Sequence, residues 1–302
     1  MRILLFGKDG QVGWELQRSL APLGELIALG REGSGDLGGD FTDLAGLAAS
    51  VSRLAPEVIV NAAAFTAVDQ AEAEPGLARM INAAAPAVLA EEARKLGAWL
   101  IHYSTDYVFD GRGCTPWRED DRTAPLNIYG RTKRAGELAV MDCPRHLILR
   151  TAWVFSARGS NFIRTLLRLA QERERLEVVA DQFGAPTGAP LIADITAHLL
   201  RTLACQGDAA LRLAGLYHLA ASGETNWHDY ACRVIDTARC AGQPIRVVAD
   251  GVVPVASSAY PLPAPRPANS RLATVKLQET FALRLPDWRI GVDRLLREKF
   301  ER

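Results

Sequence analysis

The sequence predicts an α/β protein: a Rossmann-type, doubly wound parallel sheet joined to a smaller mixed α/β substrate-binding domain. Three observations predict it. Short, continuously apolar runs alternate with helical patterns through the first half, as parallel strands covered on both faces require. A glycine-rich turn follows the first of these runs. After about residue 155 the alternation loses its regularity. The expected division is residues 1–155 as mainly the dinucleotide-binding unit and 156–302 as mainly the substrate-binding unit, with some exchange of strands and helices between them.

The elements follow in order. "RILLFG" (2–7) reads as a buried strand, and the amphipathic pattern after it as a helix ending near Pro22 and Gly24. "ELIALG" (25–30) is a second strand. "TDLAGLAASVSRLAP" is a helix with Thr42 or Asp43 as its cap. "EVIVNAAA" (57–64) is a third strand, followed by a long alanine-rich helix pattern with an internal Pro86. "WLIHYSTDYVF" holds the next strand, 125–141 a helix, and "HLILRTAWVF" another strand. Beyond it, "NFIRTLLRLAQERER" and "APLIADITAHLLRTLA" are helices separated by "LEVVADQFGAPT". "GLYHLAA" is a short strand and "TNWHDYACRVIDTARCAG" a helix. "VPVASSAYPLPAPRPANSRL" reads as an ordered loop, because helical patterns resume after it. A last helix carries Pro286 at its start and Asp287 in its first turn.

Composition excludes several classes of function. The 302 residues are 48% hydrophobic and 23% charged, with 35 basic and 35 acidic side chains. That balance suggests neither a nucleic-acid surface nor an anionic membrane surface. No apolar run approaches a membrane span, and the N-terminus has no signal-peptide pattern. The five cysteines are scattered and odd in number, in no metal-ligand spacing. Reduced thiols in the cytoplasm are expected, with no disulfide framework and no zinc.

"LLFGKDGQVGWEL" places Gly7, Gly10 and Gly13 between a strand and a helix. Such glycines permit a tight turn, close approach of backbone to a pyrophosphate, and close helix–strand packing. The helix N-terminus then offers N–H groups and a positive dipole end to phosphate. The spacing is GxxGxxG, not GxGxxG, so the strand–turn–helix context carries the assignment. The end of the second strand commonly selects the cofactor: an acid for the ribose of NAD, an arginine for the 2′-phosphate of NADP. Here Gly30 stands where the acid is expected, followed by Arg31. This favours NADPH, with NADH still open, since Asp36 or Asp40 can serve a ribose hydroxyl. Asp40 and Phe41 are candidate adenine-side contacts. Ala62, Ala63 and Ala64 give small side chains against which a ring or ribose can lie, and they equally suit tight sheet–helix packing.

Tyr129 and Lys133, in "NIYGRTKRAGE", are four residues apart and share one helix face. With six tyrosines and five lysines in the chain, chance gives about 0.1 such pairs. Thr105 ends the preceding strand, where open α/β sheets bind ligands. Thr105 can hydrogen-bond a carbonyl oxygen, Tyr129 can deliver a proton to it, and Lys133 can hold a nicotinamide ribose and favour the tyrosinate by its charge.

These residues together resemble the extended short-chain dehydrogenase/reductase superfamily. More specific stretches resemble the dTDP-4-dehydrorhamnose reductases: "FGKDGQVGWELQ", "NAAAFTAVDQAE", "STDYVFDG", "PLNIYGRTKRAGE", "DQFGAPTG", "GLYHLAASGETNWHDYA" and "RPANSRL". The resemblance runs over essentially the whole chain. It implies reduction of the C4 keto group of a dTDP-sugar to dTDP-L-rhamnose, for bacterial cell-surface polysaccharide. It implies catalysis by Tyr129, Lys133 and Thr105, and cofactor contacts at Gly10, Gln11, Val12, Gly13, Asp40, Phe41, Ala63, Ala64, Thr66, Tyr103, Tyr129 and Lys133. Matching substrate positions are Thr105, Asp106 and Trp153, and the later half offers Asn161, Gln182, Arg266 and Asn269. Arg266 is the expected diphosphate ligand, by guanidinium–phosphate geometry.

Three departures stand out. Gly30 replaces the acid many relatives carry, and Phe65 replaces a frequent histidine. Some members hold Mg2+ at a dimer interface through acidic residues. Glu15 matches one such position, whereas Pro190 stands where an acid can occur, so no metal ligand is assigned and a homodimer is left open. Two other functions compete: an NDP-sugar epimerase of the same superfamily, and a non-catalytic cofactor-binding regulatory subunit. The specific stretches argue against the first, and the intact Thr105, Tyr129 and Lys133 against the second.

Overall fold

A computed structural model describes residues 1–300. The first half runs β1 (Arg2–Phe6), α1 (Gln11–Leu20), β2 (Glu25–Leu29), α2 (Leu44–Leu54) and β3 (Val58–Asn61). It continues through α3 (Val68–Ala73), α4 (Pro75–Arg79), α5 (Ala85–Leu96), β4 (Trp99–Thr105), α6 (Ile128–Met141) and β5 (His146–Thr151). The second half comprises β6 (Val154–Phe155), α7 (Phe162–Glu172), β7 (Leu176–Val179), β8 (Phe183–Gly184), β9 (Thr187–Gly188) and α8 (Ala189–Gln206). Then come β10 (Gly215–His218), β11 (Thr225–Asn226), α9 (Trp227–Cys240), β12 (Val252–Val255), α10 (Val275–Phe281) and α11 (Trp288–Phe300).

Six strands form one parallel sheet in the order β10-β5-β4-β3-β1-β2. The order reverses direction between β1 and β3, the switch point at which such sheets bind ligands beyond their strand ends. Every residue of β3 and β4 is buried, so their apolar character needs no alternation. One face of the sheet packs on α1 and α8 through Leu16, Leu20, Ile192 and Leu199. The other packs on α2 and α5 through Leu47, Val51, Leu89 and Ala93. A separate core joins α7, α9 and α11 around Leu166, Tyr230, Val234 and Trp288. Residues after 155 therefore divide between two bodies: α8, β10 and α10 complete the sheet unit, and α7, α9 and α11 build the smaller one.

Three local expectations are corrected, and one unassigned stretch is resolved. The alanine-rich pattern is not one helix: α4 and α5 are joined by a π turn over Met80–Ala84. Pro86 has no N–H to donate to the Asn82 carbonyl and its ring crowds it, so the helix widens there. The "LEVVADQFGAPT" segment, which the sequence pattern did not assign, holds β7, β8 and the start of β9. The proline-rich stretch begins as β12, paired only to β7, an edge position that tolerates Pro254. Pro286 and Asp287 precede α11, and Asp287 accepts from the Arg289 N–H at 2.9 Å.

Candidate active site

The glycine turn sits at the switch point because nothing larger fits. Gly7 has φ +83°, and a Cβ there would stand 2.6 Å from the Ala63 nitrogen. A Cβ on Gly13 would fall 1.9 Å from the Gly7 carbonyl oxygen, so α1 rests directly on the turn. Gly10 caps α1 with no side-chain hydrogen bond, which leaves the first N–H groups at Gln11, Val12 and Gly13 open to an anion. That uncapped turn suits a dinucleotide pyrophosphate. The Gln11 side chain is itself held, its Oε1 accepting from Ser156 at 3.2 Å and Asn161 at 3.1 Å. The alanine loop is anchored at its base by Ala62 N–H donating to the Phe6 carbonyl, 3.0 Å, and Ala63 N–H to Asn61 Oδ1, 3.1 Å. Thr66 lies exposed on the same loop.

Thr105, Tyr129 and Lys133 converge where β4 ends and α6 begins. Thr105 is the last residue of β4, buried, its Oγ1 donating to Asp106 and accepting from the Tyr107 N–H, both at 3.2 Å. Helix α6 starts sharply: the Asn127 carboxamide oxygen accepts from Gly130 N–H at 2.8 Å, and Glu72 Oε1 accepts from Ile128 N–H at 2.7 Å. Its glycines are packing devices. A Cβ on Gly130 would be 2.2 Å from the Tyr107 carbonyl, and one on Gly136 2.1 Å from the Asn82 carbonyl that Pro86 leaves without a helical donor. Asn82 also bonds Thr132 of α6 and both backbone groups of Phe65. The tyrosine and lysine thus stand on a helix fixed at both faces.

Lys133 is 2% exposed, and its ammonium donates to the Tyr103 carbonyl at 2.6 Å. Burial pulls its pKa down to about 8, opposed by the Glu137 carboxylate. Glu137 is in turn paired with the buried Arg150 at 2.7 and 2.8 Å and with Arg134 at 3.0 Å. Burial pushes the Tyr129 phenol up to about 12; a hydrogen bond with Thr105 opposes the rise and the Asp106 charge adds to it. Thr105, rather than Lys133, is the group that counters the burial of the phenol. At neutral pH the phenol keeps its proton. Asp106 is buried, with one oxygen lacking a hydrogen-bond partner among the described residues, and burial raises its carboxyl to about 6. Tyr103 contributes its backbone here; its hydroxyl is 2.7 Å from the Thr196 hydroxyl within the core.

Beside this centre lies a cavity of about 580 Å3, lined by Tyr107, Phe162, Gln182, Trp227, Tyr260 and Arg266. Tyr129 is not in its lining; Tyr107 joins the two, its ring edge-on to that of Tyr129 at 5.5 Å. Trp153, in the left-handed region at φ +50°, stacks on Trp227 at 3.7 Å. The two-stranded ribbon of β8 and β11 puts Gly184 behind that stack, where a Cβ would lie 2.7 Å from the Trp153 ring. Arg266 forks onto Asp69 of α3 at 2.9 and 2.7 Å and also donates to the Ala264 carbonyl.

Several expected site residues are already engaged within the protein. Asn161 faces the glycine turn: it caps α7 and donates to Gln11 and the Ser156 carbonyl. Asn269 is 1% exposed, its carboxamide committed to the Thr115 carbonyl and to Arg271. The Phe41 ring is buried edge-on against Phe6, while Asp40 beside it accepts from Thr42. Arg31 is exposed and paired with Asp40 at 3.4 Å. Glu15 pairs with Arg18, and among the described residues no group of three or more His, Cys, Asp or Glu could hold a metal. No helix of the described residues is long and apolar enough to cross a membrane. Sequence reasoning missed Asp69, Glu72, Asn82, Tyr107, Asn127 and Trp227. Only Asn127 had a local signal, a capping residue just before a helical run.

The sheet, its switch-point turn and the Tyr–Lys helix define a nicotinamide-dependent oxidoreductase of the short-chain dehydrogenase/reductase class. A family model described as the RmlD substrate binding domain matches residues 1–300, and the chain belongs to that family. It is 57% identical over 301 residues to the dTDP-4-dehydrorhamnose reductase of Shigella flexneri, covering 99% of this chain and 98% of the relative. The enzyme of that name from Burkholderia thailandensis is 48% identical over 299 residues, 99% of each chain. The crystal structure of a Bacillus anthracis dTDP-4-dehydrorhamnose reductase in complex with NADP matches with a TM-score of 0.87 at 33% identity, over 98% of this chain and 99% of that one.

Proposed function

We propose that this chain reduces the C4 keto group of dTDP-4-dehydro-L-rhamnose to give dTDP-L-rhamnose, with NAD(P)H as reductant. The observation that carries the assignment is the meeting of Thr105, Tyr129 and Lys133 between an uncapped glycine turn and a cavity whose wall includes Arg266. Gln11, Val12 and Gly13 would receive the pyrophosphate on their N–H groups, and Lys133 would hold the nicotinamide ribose. A nicotinamide held there would supply the hydride for C4. Thr105 donates a hydrogen bond to the C4 oxygen, and Tyr129 gives that oxygen its proton. A phenol raised by burial is fully protonated at neutral pH, the form a reduction consumes. Arg266 exchanges Asp69 for the sugar-nucleotide diphosphate, a change of one bidentate anion for another. Trp153 and Gln182 face the sugar nucleotide from the smaller body.

Incubating the protein with dTDP-4-dehydro-L-rhamnose and NADPH, with NADH in parallel, is expected to oxidise cofactor in stoichiometric step with the sugar. Conversion of the sugar with no net oxidation would mark an epimerase instead. No conversion with either cofactor would return the chain to a binding role.

A further inference from the structure

Gly30 directly follows β2, at the place where dinucleotide-binding sheets commonly carry the acid that accepts from the adenosine ribose. It has no side chain, yet it is buried. A Cβ built on it would lie 2.1 Å from Asp9 Oδ2, with Lys8 Cε at 3.3 Å. The Asp9 carboxylate therefore occupies the volume that a side chain at position 30 would take. The turn that carries Asp9 is pinned to the strand end: the N–H groups of Gly7 and Lys8 both donate to the Leu29 carbonyl, at 2.9 and 3.3 Å. Two other carboxylates nearby are committed elsewhere. Asp40 takes the Thr42 N–H and hydroxyl on one oxygen and Arg31 on the other. Asp36 is 81% exposed and paired with Arg53.

We propose that Asp9 supplies the ribose-reading carboxylate in place of residue 30, so that the balance between NADH and NADPH is set at position 9. The proposal rests on the NAD(P)H assignment above. A carboxylate accepts from a 2′-hydroxyl, a donor, and repels a 2′-phosphate. Lys8 and Arg31 supply the opposite preference from the same patch, and Asp40 already holds Arg31. An acid at position 9 and a side chain at position 30 then claim the same volume, and a side chain at 30 would displace the Asp9 carboxylate from where it stands.

The test is calorimetric binding of ADP-ribose and of 2′-phospho-ADP-ribose, fragments that need no sugar and no turnover. Asp9→Ala is expected to weaken ADP-ribose roughly tenfold, the scale of a lost hydrogen bond to a charged group, and to leave 2′-phospho-ADP-ribose unchanged or tighter. Adding Gly30→Asp to that variant is expected to restore ADP-ribose binding. Asp9 is exposed on a turn, so the single variant should keep its melting temperature. An unchanged ratio of the two affinities in Asp9→Ala overturns the proposal. Failure of the unaltered protein to bind either fragment overturns the cofactor assignment itself, and the two failures are distinct.

Discussion

The reducing centre and the wall of the neighbouring cavity are held in different ways. At the centre, each holding contact has a backbone group on one side. Lys133 is anchored on the Tyr103 carbonyl, α6 is capped by Asn127 and Glu72, and two glycines press that helix against the Tyr107 and Asn82 carbonyls. Along the cavity, side chains hold side chains: Arg266 on Asp69, and Trp153 on Trp227. Backbone contacts of the first kind have no alternative partner, so they keep reacting groups within the few tenths of an ångström that proton transfer requires. Contacts of the second kind can be exchanged for equivalent contacts to a ligand. The difference predicts which substitutions act on turnover and which on affinity.

The largest effect belongs to the centre. Tyr129→Phe removes one oxygen from a helix that every other contact keeps in place. It is expected to lower kcat by about 10²–10⁴-fold while KM and the melting temperature barely change. Stopped-flow cofactor oxidation beside a thermal melt measures both. A kcat within a few-fold of the parent would move the proton donor elsewhere and erase the contrast between the two regions.

The same contrast explains what could be read in the sequence. Tyr129 and Lys133 were legible because one helical turn fixes their relation, and Gly7, Gly10 and Gly13 because a strand and a helix flank them. Most of the sheet was legible because buried parallel strands are continuous apolar runs. Asp69 was not, since its partner Arg266 lies 197 positions away and neither has a local pattern. The Trp153–Trp227 stack depends on a ribbon of two-residue strands too short to leave a periodicity. Asn161 and Asn269 read as donors by residue type, and the capping site and the buried loop carbonyl that hold their carboxamides left no mark in the sequence. The widened turn before α5 was hidden although Pro86 was visible, because a proline in a helical run ends, kinks or widens it according to what packs outside.

A smaller effect, on affinity alone, is expected at the ion pair. Arg266→Lys keeps the charge and loses the fork that both Asp69 and a diphosphate engage. KM for the sugar nucleotide should rise on the order of tenfold, with kcat almost unchanged and cofactor KM unaffected. Steady-state kinetics with each substrate varied in turn checks it. A fall in kcat of the same size would mean that Arg266 also positions the reacting carbon, and the two regions would no longer be separable.

The smallest effect sharpens the comparison most, because it changes no polar group. Gly184→Ala adds one methyl whose Cβ lies 2.7 Å from a Trp153 ring carbon, closer than van der Waals contact allows. Gly184 has an ordinary φ, so the substitution strains no backbone, and the ring rather than the ribbon must give way. Trp153 cannot retreat straight back, because Trp227 already lies against its other face at 3.7 Å, so the ring must slide across its partner. The expected result is a roughly threefold rise in sugar-nucleotide KM, a stability change within about 1 kcal/mol, and a weakened tryptophan signal in near-ultraviolet circular dichroism. A change in the dichroism with unaltered KM would leave the stack as packing that the substrate never meets. A change in kcat would instead place Trp153 within the reducing centre, as tightly determined as Tyr129.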